Sequence, residues 1–272
     1  MPNDLKGVKM IVPSSRVNPQ SYYYNGSFDS RVKMMHGVAS PVFISDDIFS
    51  FGSGNNTGHV DFYTSSGYNP SKVRPLDHSR YLVQKNMQDN KDWTNVECTL
   101  YANVKSVLDS KGRIIWRVRT GQDRHKSGDC ESCGYEAELN VLGNVRFIKR
   151  QYCGASQYRP YVAVTGDIEE RWIGFKFIVF NNEKSGFANL EVWIDENDSN
   201  DWVPKASFTD TGFGNGLGTG CNGAANQIIS WGGPIVTLLW QTDGSIPESV
   251  EFKNLSIREI DVNGSFSGQE GL

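Results

Sequence analysis

Six residues carry side chains that could cleave a polysaccharide: Arg117, Arg119, His125, Lys149, Gln151 and Tyr158. An arginine can hold a substrate carboxylate through two parallel hydrogen bonds, and a glutamine can assist it. Neutralising that carboxylate acidifies the neighbouring C–H group, so that a histidine or tyrosine can remove the proton and protonate the leaving oxygen. These residue types could therefore support β-elimination of an acidic polysaccharide.

Other side chains in the same segments could bind a sugar without reacting with it: Glu97, Tyr101, Glu138 and Tyr152. Aromatic rings with polar neighbours suffice for a carbohydrate-binding module. Two carboxylates facing each other across a cleft would instead make a glycoside hydrolase. Neighbouring arginines and glutamates also form ordinary cross-strand ion pairs, so a purely structural role stays open.

The elements that position these residues are predicted to be β-strands, because almost no segment repeats with a helical period. Alternating or continuously apolar segments occupy residues 96–104, 113–119, 135–139, 145–152, 172–180, 188–195, 235–240 and 250–260. Many short strands with polar turns predict an all-β fold, an antiparallel two-sheet sandwich of jelly-roll type with a concave groove. We expect residues 1–40 to form an N-terminal arm or edge strand, 41–262 the domain, and 263–272 a tail.

Alternation also predicts which side chains face the core. Val96, Cys98, Leu100, Trp116, Val118, Ala137 and Leu139 are expected to face inward. The polar residues on the same strands are then expected to line one solvent-side groove together: Asn95, Glu97, Thr99, Tyr101, Arg117, Arg119, Glu136, Glu138, Lys149 and Gln151.

The composition excludes several classes of protein. The chain has 272 residues and a formal net charge of −4, from 27 basic and 31 acidic residues, which argues against a nucleic-acid scaffold. No apolar run approaches the roughly 20 residues that a membrane-spanning helix needs. Aromatic residues make up 12% of the chain, which argues against disorder.

The five cysteines predict where the protein resides. Cys98 lies on an apolar strand face and is expected to be a buried thiol. Cys130 and Cys133 form a single CxxC motif, and at least one of them is expected to bridge to Cys153 or Cys221. Such bridges predict an extracellular location, although the first ten residues lack the apolar core of a signal peptide.

One acidic loop could bind a metal. Asp195, Asp198 and Asp201 lie close together in sequence and offer the oxygen ligands that calcium prefers. The loop lacks the glycine and glutamate of an EF-hand, so a solvated acidic turn is the alternative. No cofactor is expected to be required, and calcium would be structural.

Several of these segments resemble jelly-roll proteins of the concanavalin A-like lectin and glucanase superfamily, most closely those of polysaccharide-lyase type and related secreted microbial proteins. The resemblance rests on residues 92–101, 117–121 with His125, 135–139, 145–149, 171–176, 190–195 and 250–260. It implies the jelly-roll fold and a site built from His, Tyr, Arg, Gln and Lys. The sequence departs from the alginate-lyase pattern at Gln227 to Ile229, where the histidine is missing, and the glucanase Glu-x-Asp-x-x-Glu motif is absent.

The sequence thus predicts an extracellular, monomeric protein whose partner is a polysaccharide, without nucleic-acid binding or a membrane span. The leading hypothesis is a lyase that cleaves an acidic glycan. The alternatives are a lectin-like carbohydrate-binding module without catalysis and a glycoside hydrolase on the same fold.

Overall fold

The computed structural model describes residues 2–14, 18–34, 41–51, 57–63, 93–105, 112–120, 134–152, 155–212, 228–241 and 250–262. Within these ranges the chain forms strands and no helix, and no helix there is long and apolar enough to cross a membrane. The strands are β1 (Ser21–Tyr23), β2 (Val32–Met34), β3 (Pro41–Phe43), β4 (Ile48–Phe51), β5 (Thr57–Tyr63), β6 (Val96–Val104), β7 (Arg113–Thr120), β8 (Gly134–Asn140), β9 (Asn144–Tyr152), β10 (Ala155–Tyr158), β11 (Val162–Ala163), β12 (Trp172–Asn181), β13 (Ala188–Asp195), β14 (Val203–Asp210), β15 (Ile235–Gln241) and β16 (Val250–Glu259).

The strands form two antiparallel sheets, which pack into a sandwich. The first sheet has the order β14-β13-β12-β6-β16-β4-β3, with β1 also paired to β16. The second sheet has the order β10-β9-β8-β7-β15-β5-β2, with β11 also paired to β9. The predicted all-β, two-sheet fold is confirmed. β12, which is continuously apolar in sequence, lies between β6 and β13.

The core between the sheets is built from the residues that alternation places there. Cys98 on β6 and Trp116 on β7 are both fully buried and belong to one apolar cluster. Cys98 is a free thiol, as predicted. Burial raises its pKa well above the usual value, so it is not the reactive thiolate form.

The hairpin of β8 and β9 turns at a glycine. Gly143 has a φ of 78°, and a Cβ there would collide with the carbonyl oxygen of Gly166. Glycine alone adopts this positive φ without strain and leaves room for the carbonyl oxygen of Gly166. This turn fixes the register, in which Leu139 pairs with Val145 and Glu138 with Arg146.

The N-terminal residues join the sandwich in two ways. β1 and β2 pair with β16 and β5, so they extend both sheets. Residues 2–14 lie on the outer face of the first sheet, where Val8, Ile11 and Val12 pack on a second apolar cluster that includes Ile178 and Trp202. This segment therefore covers a face that would otherwise expose apolar side chains to water.

Gly174 on β12 lets two large aromatic rings pack under that segment. A Cβ at Gly174 would lie 2.7 Å from Cη2 of Trp202 and 2.9 Å from Cε1 of Tyr101. Gly174→Ala is expected to lower the free energy of unfolding by about 1–3 kcal/mol, because these rings must shift. Urea denaturation measures the loss. Gly166→Ala is the control, since a Cβ there meets nothing within 4 Å; equal losses in the two variants would contradict the packing explanation.

Candidate functional site

The two sheets separate the residues that the sequence predicts to lie together. Glu97 and Tyr101 are on β6 in the first sheet, whereas Arg117, Glu138 and Lys149 are on β7, β8 and β9 in the second. Side chains on the outer faces of the two sheets of a sandwich point to opposite sides of the molecule. The prediction of one common groove is therefore wrong.

Glu97 is buried in an ion-pair cluster beneath the N-terminal segment. Its carboxylate lies 2.9 Å from Lys176 Nζ and 2.9 Å from Arg258 Nη2, and it accepts backbone N–H bonds from Ile11 and Val12. Burial alone would raise the pKa of Glu97, but the two cations and the Val12 N–H lower it below its usual value. This residue is completely buried, so it does not meet a polymer on the surface.

Arg119 points between the sheets because β7 contains a bulge. β15 pairs Thr237 with Arg117 and Ile235 with Thr120, so the register shifts by one residue, and Arg119 has a φ of 60°. The extra residue reverses the alternation. The guanidinium is fully buried and donates to four oxygens at this end of the sandwich: Asn181 Oδ1, Thr94 O, Ile229 O and Asn95 Oδ1. Burial lowers the pKa of Arg119 to about 10.

Lys149 also faces inward, because it shares the phase of Val145 and Phe147, which face the core. The prediction of a solvent-side position for Lys149 is therefore wrong. Its Nζ lies 2.8 Å from Asp210 Oδ2, and both side chains are fully buried. Asp210 also accepts a hydrogen bond of 2.5 Å from the hydroxyl of Tyr135.

The side chains of three predicted residues lie outside the described part of the structure. His125 is in residues 121–133, and the side chains of Gln151 and Tyr152 are likewise not described. The same holds for Cys130, Cys133, Cys153 and Cys221, on which the disulfide prediction rests. Those expectations stay predictions.

The acidic loop after β13 is organised by hydrogen bonds. Asp195 is fully buried and accepts the Tyr101 hydroxyl at 2.8 Å and the backbone N–H of Asn200 at 2.6 Å. Asp198 lies 2.5 Å from Lys253 Nζ, and Asp201 is exposed. Among the described residues no group of three or more His, Cys, Asp or Glu side chains is placed to hold a metal ion. Calcium binding stays a prediction from the sequence.

The outer face of the second sheet carries a row of alternating charges. Arg117 donates to Glu136, which also accepts from Arg150 Nη1 at 3.0 Å. Burial alone would raise the pKa of Glu136, but the two arginines lower it. A carboxylate held in its charged form is a poor general acid at neutral pH. This geometry gives no support to a hydrolase that would use Glu136 as its acid.

A pair of exposed tyrosines borders this row. Tyr158 at the end of β10 is 57% exposed, and Tyr161 just before β11 is 41% exposed. The guanidinium carbon of Arg146 lies 4.6 Å from the centroid of each ring. Glu138 accepts hydrogen bonds from Arg146 Nε and, at 3.1 Å, from the Tyr161 hydroxyl. We call Tyr158, Tyr161, Arg146 and Glu138 the tyrosine platform.

The strand pairing explains why these four side chains meet. β8 places Glu138 opposite Arg146 on β9. β10 places Tyr158 opposite Ile148, and β11 places Val162 opposite Val145, so both tyrosines flank Arg146 on the same face. Tyr158 and Glu138 are among the site residues predicted from the sequence, whereas Arg146 is not. The turn at Gly143 could have predicted the position of Arg146 from the sequence, because this turn sets the register that pairs Glu138 with Arg146.

The tyrosine platform is suited to binding rather than to proton abstraction. Burial and the charge of Glu138 raise the pKa of Tyr161 to about 12, so its hydroxyl stays protonated near neutral pH. The phenol therefore serves as a hydrogen-bond donor to Glu138. Of the predicted catalytic residues whose side chains are described, Arg117 is paired on the outer face, Arg119 and Lys149 are buried between the sheets, and Tyr158 is exposed at the edge.

Comparison with known proteins yields matches among solved structures alone, because no protein-family model and no curated protein matches the chain. The VIP36 exoplasmic/lumenal domain, in its Ca2+/Man3GlcNAc-bound form, has 8% identity and a TM-score of 0.52, with 90% of this chain and 90% of that chain covered. Carbohydrate binding module CBM66 from Bacillus subtilis has 10% identity and a TM-score of 0.47, with 84% and 96% covered. The CBM2 module of the evolved Dit of Lactobacillus casei BL23 phage J-1 has 13% identity and a TM-score of 0.48, with 90% and 99% covered.

At these identities a match shows the fold and nothing finer. The VIP36 match is the one of the three with a TM-score above 0.5, so the fold assignment rests on it. Together with the two antiparallel sheets, it shows that this chain is a β-sandwich of the concanavalin A-like type.

Proposed function

We propose that the protein is a carbohydrate-binding module and that the tyrosine platform is its binding surface. The observation that carries the proposal is the pair of exposed rings at Tyr158 and Tyr161, which are fixed in place by Arg146 and Glu138. Exposed apolar side chains are common singly, whereas neighbouring exposed rings that form one patch are typical of a binding surface. The match to the VIP36 domain, whose structure is a Man3GlcNAc-bound form, accords with this choice of ligand.

The chemistry of the surface suits a sugar. A pyranose ring presents axial C–H groups that pack on an aromatic face, while its hydroxyls need hydrogen-bond partners around the rim. The platform offers both, since the rings lie beside the guanidinium of Arg146 and the carboxylate of Glu138. Side chains held by ion pairs and ring contacts lose little conformational freedom on binding, which favours affinity.

Polysaccharide cleavage by β-elimination is the weaker proposal. Arg119 and Lys149 are buried between the sheets, and Arg117 is paired with Glu136, so these groups do not converge on one substrate. A secreted or cell-surface location is part of the binding proposal, because polysaccharides are found there. Incubation with uronate polymers, followed by the ultraviolet absorbance of unsaturated products, separates cleavage from binding.

Tyr158→Ala is expected to weaken glycan binding by at least about tenfold, equivalent to about 1.4 kcal/mol, since the ring face is lost. The measurement is screening on a polysaccharide array, followed by calorimetric titration with the best-bound glycan. Tyr158→Phe keeps the ring and should bind nearly normally. Phe43→Ala removes a ring of similar exposure (46%) from an edge strand of the first sheet and is the control. Unchanged binding by Tyr158→Ala would exclude the platform as the binding site.

A further inference from the structure

We infer that the tyrosine platform selects glycans that carry an anionic group, and that Arg146 recognises this group. The Arg146 site presupposes that the platform binds a glycan. Recognition of a carboxylate or sulfate is an added property, which names the ligand class and can fail while sugar binding stands.

The hydrogen bonding of Arg146 leaves one side of its guanidinium available. Nε donates to Glu138 Oε2, which fixes the plane of the group. Among the described residues, neither Nη1 nor Nη2 of Arg146 has a hydrogen-bond acceptor. Each of these two nitrogens carries two N–H donors, and together they form the fork that matches the two oxygens of a carboxylate or sulfate.

The rings of Tyr158 and Tyr161 hold this fork at the surface. Both centroids lie 4.6 Å from the guanidinium carbon, so the cation is held by the faces of two aromatic rings. The side chain of Arg146 is 21% exposed and therefore partly screened from water. A partly desolvated, pre-oriented arginine binds an anion more strongly than a solvated, flexible one.

The surrounding charges favour an anion over a cation. Arg113 Nε lies 3.8 Å from Glu138 Oε1, so Glu138 is shared between two arginines. Farther along the same face, Glu136 is likewise shared between Arg117 and Arg150. These four arginines and two glutamates carry a formal charge of +2, whereas the whole chain carries −4. A negatively charged polymer is therefore attracted to this face rather than to the molecule as a whole.

The geometry also brings a bound sugar close to Arg146. A sugar ring that contacts Tyr158 or Tyr161 lies near this arginine, because the guanidinium contacts both rings. A carboxylate on the stacked residue or on its neighbour can then reach the fork. Uronate polymers and sulfated glycans both supply such a group.

The experiment compares charged and neutral forms of one backbone. Polygalacturonate is titrated against its fully methyl-esterified form, hyaluronan tests a carboxylate on another backbone, and carrageenan tests a sulfate. The charged form is expected to bind at least about tenfold more tightly than its ester. Rising ionic strength should remove most of this preference. Binding of hyaluronan shows that a carboxylate on another backbone is accepted, binding of carrageenan shows that a sulfate is accepted, and either supports the inference.

Variants of Arg146 test its role directly. Arg146→Gln should lose the preference for the charged form while keeping the weaker binding of the ester, and Arg146→Lys should restore part of it. Arg159→Gln is the matched control, because Arg159 is adjacent in sequence to Tyr158 but its guanidinium lies 4.8 Å from the ring of Phe208 instead. If Arg146→Gln fails to fold, the ester comparison and the salt dependence of the unmodified protein still test whether the platform prefers an anionic glycan.

The possible failures are distinguishable. Absence of binding to every polymer would overturn the proposed function and the Arg146 site with it. Equal affinity for polygalacturonate and its ester would overturn anion recognition alone and leave sugar binding in place. If Arg159→Gln loses the preference for the charged form and Arg146→Gln keeps it, the anion site does not lie at Arg146.

Discussion

Replacing Glu97 by alanine is expected to lower the free energy of unfolding by about 3–5 kcal/mol, one of the two largest effects we predict. The variant leaves Lys176 and Arg258 as buried cations without their shared carboxylate. It also removes the acceptor of the Ile11 and Val12 N–H groups, which hold the N-terminal segment on the sheet. Urea denaturation measures the loss, and hydrogen exchange at those two amides should accelerate.

A surface glutamate on the same sheet provides the control. Glu251 pairs with Lys105 at 2.9 Å, but both side chains are partly exposed, so Glu251→Ala should cost no more than about 1 kcal/mol. Similar losses for Glu97→Ala and Glu251→Ala would refute the buried-cluster explanation. Because Glu97→Ala could prevent folding altogether, Glu97→Gln gives a milder test that keeps the shape and one acceptor oxygen.

A triple variant separates the effect of the uncompensated buried cations from the effect of the lost polar contacts to the N-terminal segment. Combining Glu97→Leu with Lys176→Met and Arg258→Met removes all three charges, and apolar replacements of a buried ion cluster are often neutral or stabilising. This triple variant should recover most of the stability that Glu97→Ala loses. A triple variant as unstable as Glu97→Ala would show that the polar contacts to the N-terminal segment matter more than the uncompensated cations.

The same cluster predicts how stability depends on pH. The pKa of Glu97 is lower in the folded protein than in the unfolded chain, so its contribution is complete above the unfolded value of 4.5. As the pH falls from that value through the folded pKa, protonation of Glu97 removes the contribution. The unmodified protein should therefore lose more stability on acidification than Glu97→Gln does.

The sequence predicts the positions of the strands well, because the alternation of buried and exposed side chains is visible within each strand. Alternation places Cys98 and Trp116 in the core, and the turn at Gly143 defines the β8–β9 hairpin. Local alternation does not say which sheet a strand joins. β6 pairs with β12 and β16, which are far away in sequence, and this long-range pairing separates Glu97 from the arginines of β7.

The candidate site is harder to predict, for two physical reasons. The bulge at Arg119 reverses the side-chain phase, and no residue type in β7 marks it. Tyr161 precedes the two-residue strand β11, which is too short to show any alternation. Hairpin register does predict that Glu138 lies opposite Arg146, so half of the tyrosine platform follows from the sequence.

Replacing Asp210 by alanine is expected to cost about 3–5 kcal/mol as well, because Asp210 ties the two sheets together. It lies at the end of β14 in the first sheet, while Lys149 and Tyr135 belong to β9 and β8 in the second. Its carboxylate receives the Tyr135 hydroxyl at 2.5 Å and lies 2.8 Å from Lys149 Nζ, in a site closed to water. Urea denaturation again measures the loss.

Variants that change Asp210 and Lys149 one at a time or together test this contact. Burial and the charge of Asp210 raise the pKa of Tyr135 well above its usual value, so the phenol stays protonated and donates to the carboxylate. Asp210→Asn keeps an acceptor for this phenol but leaves the Lys149 ammonium without a carboxylate at that position. Adding Lys149→Met to Asp210→Asn should therefore regain stability, whereas Lys149→Met alone leaves the carboxylate without that cation and should cost stability.

Comparison with an exposed pair decides whether burial sets the size of this effect. Asp198 and Lys253 form the same carboxylate–ammonium contact at 2.5 Å, but both side chains are partly exposed, so Asp198→Asn should cost no more than about 1 kcal/mol. Asparagine tolerates the positive φ of 54° at Asp198, so the substitution adds no backbone strain. A loss for Asp210→Asn as small as for Asp198→Asn would mean that the Asp210–Lys149 contact does not hold the sheets together. A larger loss, relieved by Lys149→Met, would assign Lys149 to the stability of the sandwich rather than to catalysis.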